Sequence, residues 1–255
     1  MHGDGHAEPR VRIAAAGDLH CRETRRREIE AAFARIAGEV DAILLAGDLT
    51  THGAPDQAAI LADACAPLEV PVVTVLGNHD WHANRTVEVV ETLTAGGITV
   101  LDRSATVLCL GGLEVGVAGT KGFVGGFAGS HIPDFGEPLL REVYAEATAE
   151  VEALDRGLRE VAVCPLRVAL LHYSPAPETL EGERHDIWSF LGTDRLAAPI
   201  REHCPHLVLH GHAHGGTFSG SVGEVPVYNV SVPVIGRDFC VFELSGAGAA
   251  TAAVH

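Results

Sequence analysis

Val70-Pro71-Val72-Val73-Thr74-Val75-Leu76 runs directly into Gly77-Asn78-His79-Asp80. The first part is apolar and β-branched, as a buried strand requires. The second part is polar and rich in metal-capable side chains. Unpaired polar groups at a strand end lose hydration and gain little, so packing alone does not account for them. The same event recurs along the chain. Ile13-Ala14-Ala15-Ala16 leads into Gly17-Asp18-Leu19-His20, and Ala42-Ile43-Leu44-Leu45-Ala46 into Gly47-Asp48. Val168-Ala169-Leu170-Leu171 leads into His172, and Leu207-Val208-Leu209 into His210-Gly211-His212-Ala213-His214. In a layered α/β domain the carboxyl ends of such strands share one rim, where ligands bind.

The segments between these strands fit that picture. Arg10 to Ala16 reads as the first strand. Glu23 to Ala37 carries Ile29, Ala32, Phe33 and Ile36 at helical spacing, with Gly38 as a stop. Val40 to Ala46 is a strand, Asp56 to Ala64 a helix begun near Pro55, and Thr86 to Ala95 a helix stopped by Gly96-Gly97. This βαβαβα order implies parallel pairing with right-handed crossovers. Short strands follow at Ile98–Leu101, Thr106–Leu110 and Leu113–Ala118, with a hairpin turn at Gly111-Gly112. Residues 119–137 form a Gly- and Phe-rich loop, Pro138 to Val161 a helix, and Arg167 to Leu171 a strand. Residues 173–193 are irregular with three aromatics, Tyr173, Trp188 and Phe190, which read as packing a cap, with stacking on a base as the alternative, and Asp194 to Glu202 is a short helix. Thr217–Ser221, Pro226–Val230 and Asp238–Leu244 read as antiparallel strands with turns at Gly223 and Gly236. The whole is a single α/β domain over residues 10–245, with cap-like insertions at about 119–165 and 173–200, between tails at 1–9 and 246–255.

The bulk numbers narrow the class. A chain of 255 residues with 47% hydrophobic and 20% charged residues has the composition of a soluble globular protein. No apolar run reaches the roughly 18 residues of a membrane span. The stretch Met1 to Pro9 has no apolar core of a secretory leader, and His2 and His6 there read as part of a solvated tail. A net charge of −16 argues against a broad nucleic-acid surface. A small anionic substrate is still allowed, because a bound cation dominates its local field. The cysteines at 21, 65, 109, 164, 204 and 240 form no CxxC pair and read as mostly reduced core residues, Cys109 and Cys240 in apolar runs among them, which implies a cytoplasmic protein.

Aspartate, asparagine and histidine at the strand ends, without thiolate, form a donor set for two divalent cations of the manganese, iron, zinc or cobalt type. Two such ions can clamp an in-line phosphoryl transfer. Set against Asp18, Asp48 and a hydroxide, two divalent cations leave one formal positive charge. That complements a singly charged phosphodiester better than a monoester dianion.

Asp18-x-His20, Gly47-Asp48, Gly77-Asn78-His79-Asp80, His172 and Gly211-His212-x-His214 together resemble the calcineurin-like binuclear metallophosphoesterases, with all five blocks in the family's order. The resemblance implies a four-layer α/β/β/α sandwich of two mixed sheets flanked by helices. It implies that Asp18, His20 and His214 hold one metal, that Asn78, His172 and His212 hold the other, and that Asp48 bridges them. It further implies a metal-bridging hydroxide as nucleophile, His79 as the acid that protonates the leaving oxygen, and Asp80 as its supporting carboxylate. Manganese is the first expectation for the metal. Cys21 reads as structural and His210 as packing rather than ligands.

The second block departs from the protein phosphatases of that family. It reads Gly47-Asp48-Leu49-Thr50-Thr51-His52-Gly53, without the arginine that grips a phosphate dianion. Thr50 and His52 read as loop residues that support the site rather than as substrate contacts. The expected activity is therefore hydrolysis of a small-molecule phosphate ester, leaning to phosphodiesters. Phosphomonoester hydrolysis is the near alternative, and a non-catalytic metal-binding interaction module the distant one. A nuclease would want the basic groove that this acidic chain lacks. Arg22 and Lys121 are the candidate substrate contacts; His82, His131, Arg184 and His185 lie where they could also reach a substrate. The sequence leaves the natural substrate and the oligomeric state open.

Overall fold

The computed structural model describes residues 9–245 and the backbone of 250–253. The expected tail at 1–9 lies outside the described residues except for Pro9. The first half alternates as read: β1 (Arg10–Ala16), α1 (Arg26–Ala37), β2 (Ala42–Ala46), α2 (Pro55–Cys65), β3 (Val72–Val75), α3 (Thr86–Ala95) and β4 (Ile98–Val100). Then come β5 (Ser104–Leu110), β6 (Leu113–Gly119), α4 (Pro138–Glu160), β7 (Leu166–Leu170), α5 (Trp188–Leu191), α6 (Ala197–His203) and β8 (Leu207–His210). The chain continues through β9 (Ser219–Val222), β10 (Val225–Asn229), α7 (Val232–Ile235), β11 (Cys240–Ser245) and β12 (Ala250–Ala253).

These strands build two six-stranded sheets, ordered β12-β11-β1-β2-β3-β4 and β5-β6-β7-β8-β10-β9. β1, β2, β3 and β4 are mutually parallel, as are β6, β7, β8 and β10. Both faces of the central strands are apolar, and the side-chain alternation of a strand divides them between two layers. Along β2, Ile43 and Leu45 pack under α1, α2 and α3 with Ile29, Phe33, Leu61 and Leu93. Ala42, Leu44 and Ala46 face the other sheet and meet Val117, Val168, Leu170 and Leu209. The outer face of the second sheet is covered by Leu154 and Leu158 of α4 and Ile200 of α6. Helix, sheet, sheet and helix give the four layers expected.

Four expectations change. β11 does not pair with β10: after Asn229 the chain passes through α7 and crosses to the first sheet, where β11 runs antiparallel to β1. Only β9 and β10 form the antiparallel hairpin, turning at Gly223 with φ 64°. Residues 138–160, read as part of a cap, are the framework helix α4 packed on the second sheet, so only 119–137 of that insertion is loop. Part of the stretch read as a C-terminal tail is strand β12, paired antiparallel with β11. Cys109, read as core, is exposed, because β5 is an edge strand whose second face is uncovered. No helix among the described residues is long and apolar enough to cross a membrane.

Candidate active site

The five blocks converge where β1, β2, β3, β7 and β8 end. Backbone hydrogen bonds lock each block to its neighbours. The Asp18 amide donates to the Gly47 carbonyl at 2.9 Å and the His20 amide to the Asp48 carbonyl at 3.0 Å. The Gly211 amide donates to the His172 carbonyl at 3.1 Å, joining β7's end to β8's. The His79 amide donates to Asp48 Oδ1 at 2.8 Å. Asp18, His20, Asp48 and His212 all take positive φ, between 46° and 70°. Non-glycine residues rarely adopt this region, and when they do the surroundings hold them there. Gly77 is required for a different reason: a Cβ at that position would run into the Asp48 carboxylate.

The side chains meet as bare donors. His172 is fully buried, and its Nδ1 lies 2.8 Å from the Ala46 carbonyl, to which it must donate. Its Nε2 then carries a lone pair that faces Asn78 Oδ1 at 2.9 Å and Asp48 Oδ1 at 3.4 Å. Three Lewis bases turned on one another repel unless a cation lies among them. His214 Nε2 is 2.8 Å from Asp18 Oδ1, and the His212 amide donates to Asp18 Oδ2 at 2.9 Å. His20 Nδ1 is buried with no hydrogen-bond partner among the described residues. Asp18, His20 and His214 have ligand atoms within 4.8 Å of one another, and so do Asp48, His172 and His212. A third such trio, His20, Asp48 and His79, lies between them.

Charge makes the same demand. Asp18 and Asp48 are buried, and the ion-pair partners the structure gives them are all imidazoles. Burial pulls the Asp18 carboxyl upward, but the hydrogen bond and charge of His214 and the His212 amide outweigh it and hold it at about 2. Asp48 is pushed up by burial and by the neighbouring Asp18. Burial pushes His172 down, and His212 down to about 4, which favours neutral imidazoles with free lone pairs. Two carboxylates, an amide oxygen and neutral imidazoles fit divalent cations of the manganese, iron, zinc or cobalt kind. Cys21 adds nothing to that set, since burial pushes its thiol up to about 12.

His79 sits at the edge of the cluster. Its Nδ1 donates to the Thr51 carbonyl at 2.9 Å, which leaves Nε2 free, 3.9 Å from Asp48 Oδ2. Asp80 does not support His79 as expected. It is fully buried and accepts from the Thr50 amide at 2.8 Å, the Thr50 hydroxyl at 2.7 Å, the Gly77 amide at 2.9 Å and the Leu49 amide at 3.2 Å. It ties the loops after β2 and β3 together, while a backbone carbonyl orients His79. Thr50, read as a loop residue, is half of that tie. His82 is exposed, with its ring 4.3 Å from that of His79. His210 is buried against the Gly211 carbonyl and Thr179 Oγ1, apart from the ligand trios.

The two candidate substrate contacts part company. Arg22 is exposed and is not part of the wall of the cavity that Asn78 lines. Lys121 lines a cavity of about 210 Å³ shared with Asn78. His131 pairs with Asp194, Arg184 with Asp186, and His185 stacks on Trp188, all in the two irregular stretches. Tyr173, one of the aromatics read in the irregular stretch 173–193, has its ring 4.4 Å from that of His212. Sequence reasoning did not find the Phe190 carbonyl, 3.0 Å from His212 Nε2. A backbone carbonyl leaves no signal in the sequence.

The family model for calcineurin-like phosphoesterases matches residues 11–216. No curated protein matches the chain in sequence. Among solved structures, the phosphopantetheinyl hydrolase of Mycobacterium tuberculosis superposes with a TM-score of 0.63 at 14% identity, over 89% of this chain and 91% of that one. A candidate 5'-nucleotidase of Staphylococcus aureus gives 0.61 at 16% identity, over 95% of this chain and 52% of that one. The anchor in the inner membrane complex of Plasmodium gives 0.60 at 14% identity, over 93% and 82%. At such identities the likeness is one of fold, and the differing roles of these proteins leave function to the site.

Proposed function

The chain belongs to the calcineurin-like phosphoesterase family, and we propose that it hydrolyses a small phosphodiester with two divalent cations, manganese first among them. One observation carries this reading: Asp18, Asp48, Asn78 and the imidazoles of His20, His172, His212 and His214 converge from five strand ends, with histidines as the only ion-pair partners of either carboxylate among the described residues. Asp18, His20 and His214 would hold one cation; Asn78, His172 and His212 would hold the other, and Asp48 lies between the two groups. Bound there, the cations would neutralise the phosphate's charge and activate the attacking water. His79, anchored through Nδ1 on Thr51, is set to give a proton from Nε2 to the departing oxygen. Asp80 fixes the loop that carries His79.

The lean to diesters rests on the single residual charge and on the absence of the phosphate-gripping arginine from 47–53. Turnover of bis(para-nitrophenyl) phosphate and para-nitrophenyl phosphate by the manganese-loaded protein tests it. Faster cleavage of the diester is expected. Faster cleavage of the monoester would reverse the lean, and cleavage of neither by protein with metal bound would favour a binding role.

A further inference from the structure

The cavity beside Asn78 has a composition unlike the rest of the site. Trp81, Phe123 and Tyr173 give it three aromatic rings, and Lys121 and Glu146 join Asn78 as its polar groups. Trp81 follows Asp80 on the turn that carries His79 and is 45% exposed, an unusual state for a tryptophan with no partner to cover it. Lys121 is the opposite, a cation with a side chain only 12% exposed. Its Nζ lies 4.4 Å from the centre of the Phe123 ring and 5.2 Å from that of Tyr173. One of its protons goes to the Gly122 carbonyl at 2.9 Å, and the nearest carboxylate, Glu150, is 3.9 Å away. An ammonium has three donors, so Lys121 keeps donors for a ligand.

The framework holds that ammonium in place. Buried Glu150 of α4 accepts from the Gly122 amide at 2.9 Å, from the Thr120 hydroxyl and from the Arg103 guanidinium. Arg103 also pairs with Glu146. The two cations and two carboxylates cancel, so the cavity adds shape and directed donors to the site rather than net charge. Its volume suits one ring system, below the range of roughly 300–1,000 Å³ for drug-sized pockets.

We propose that this cavity selects the substrate: it receives a flat, conjugated ring bearing a hydrogen-bond acceptor on its edge, stacked among Trp81, Phe123 and Tyr173 with Lys121 donating to the acceptor. The inference rests on the phosphoesterase reading. Asn78 belongs both to the donor cluster and to the cavity wall, so an ester whose phosphate lies at the cluster has its ring substituent within reach of Lys121.

Three phosphonates that cannot be hydrolysed test it on the manganese-loaded protein: cyclohexylmethyl-, benzyl- and pyridylmethylphosphonate. Binding is read from the fluorescence of Trp81 in a Trp188→Phe background. Benzyl should bind about fivefold tighter than cyclohexylmethyl, as stacking on aromatic rings warrants. Pyridylmethyl should bind a further fivefold to tenfold tighter, as a charged donor warrants. Phe123→Leu should shrink the first ratio, and Lys121→Met should abolish the second while keeping the first. Equal binding of the three, or none, would overturn the proposal. Turnover of bis(para-nitrophenyl) phosphate tests the chemistry separately. Ring selection without turnover would leave the cavity's role standing and remove the enzymatic reading; turnover without ring selection would do the reverse.

Discussion

His79 is held by a single hydrogen bond through Nδ1, and its other nitrogen faces Asp48 across 3.9 Å. If it delivers the leaving-group proton, His79→Ala should lower turnover of an alkyl diester by roughly 100-fold or more, the usual scale of general acid catalysis. The loss should be smaller for an aryl diester, whose leaving group needs no proton, and bound metal per chain should be unchanged. Loss of metal instead would make His79 a ligand, as its place in the third donor trio allows. Asp80 belongs to the framework. Asp80→Asn turns an amide N–H₂ toward groups that are themselves donors, so it should cost about 3 kcal/mol of stability, read by denaturant unfolding. The thiols offer an independent check. Burial pushes Cys21 and Cys65 up to about 12, while Cys109 and Cys204 are exposed. A raised pKa means less thiolate, so native protein treated with iodoacetamide near pH 8 should label at Cys109 and Cys204 and spare Cys21 and Cys65, as mass spectrometry would show. The donor residues were legible in the sequence because few side chains can bind metal and each followed an apolar strand. The partner of Asp80 was not, because backbone amides of another loop have no sequence signature.

At the scale of the element, β2 is covered on both faces and all five of its residues are buried. Leu44 is fully buried between the sheets. Leu44→Ala should cost about 3 kcal/mol, read as a lower unfolding midpoint, because neither sheet can collapse into the space. The helices and parallel strands of the first half were readable from period and stop signals. The destination of β11 was not. A short strand after a turn reads the same whether it pairs with its predecessor or crosses to the other sheet, and α7, which carries it across, spans only Val232–Ile235. The long helix α4 was readable as a helix, but its place in the outer layer depends on Leu154 and Leu158 meeting β6 and β7 partners far away in the chain.

At the scale of the molecule, a net charge of −16 surrounds a site that gathers carboxylates and imidazoles. Cation binding to the folded form alone stabilises it by mass action, so the melting temperature should rise with added Mn2+ and fall with a chelator. The fold was legible through five short blocks whose glycines, such as Gly77, let loops approach closely. The lining of the cavity beside Asn78 was not, because the stretches 119–137 and 173–193 are irregular and no periodic pattern encodes their shape. The most direct measurement is the turnover of bis(para-nitrophenyl) phosphate by chelator-stripped protein as bound Mn2+ per chain is raised. The stripped protein should be inactive, and activity should climb until two equivalents are bound. Full activity without metal, or saturation at one equivalent, would contradict the two-cation account.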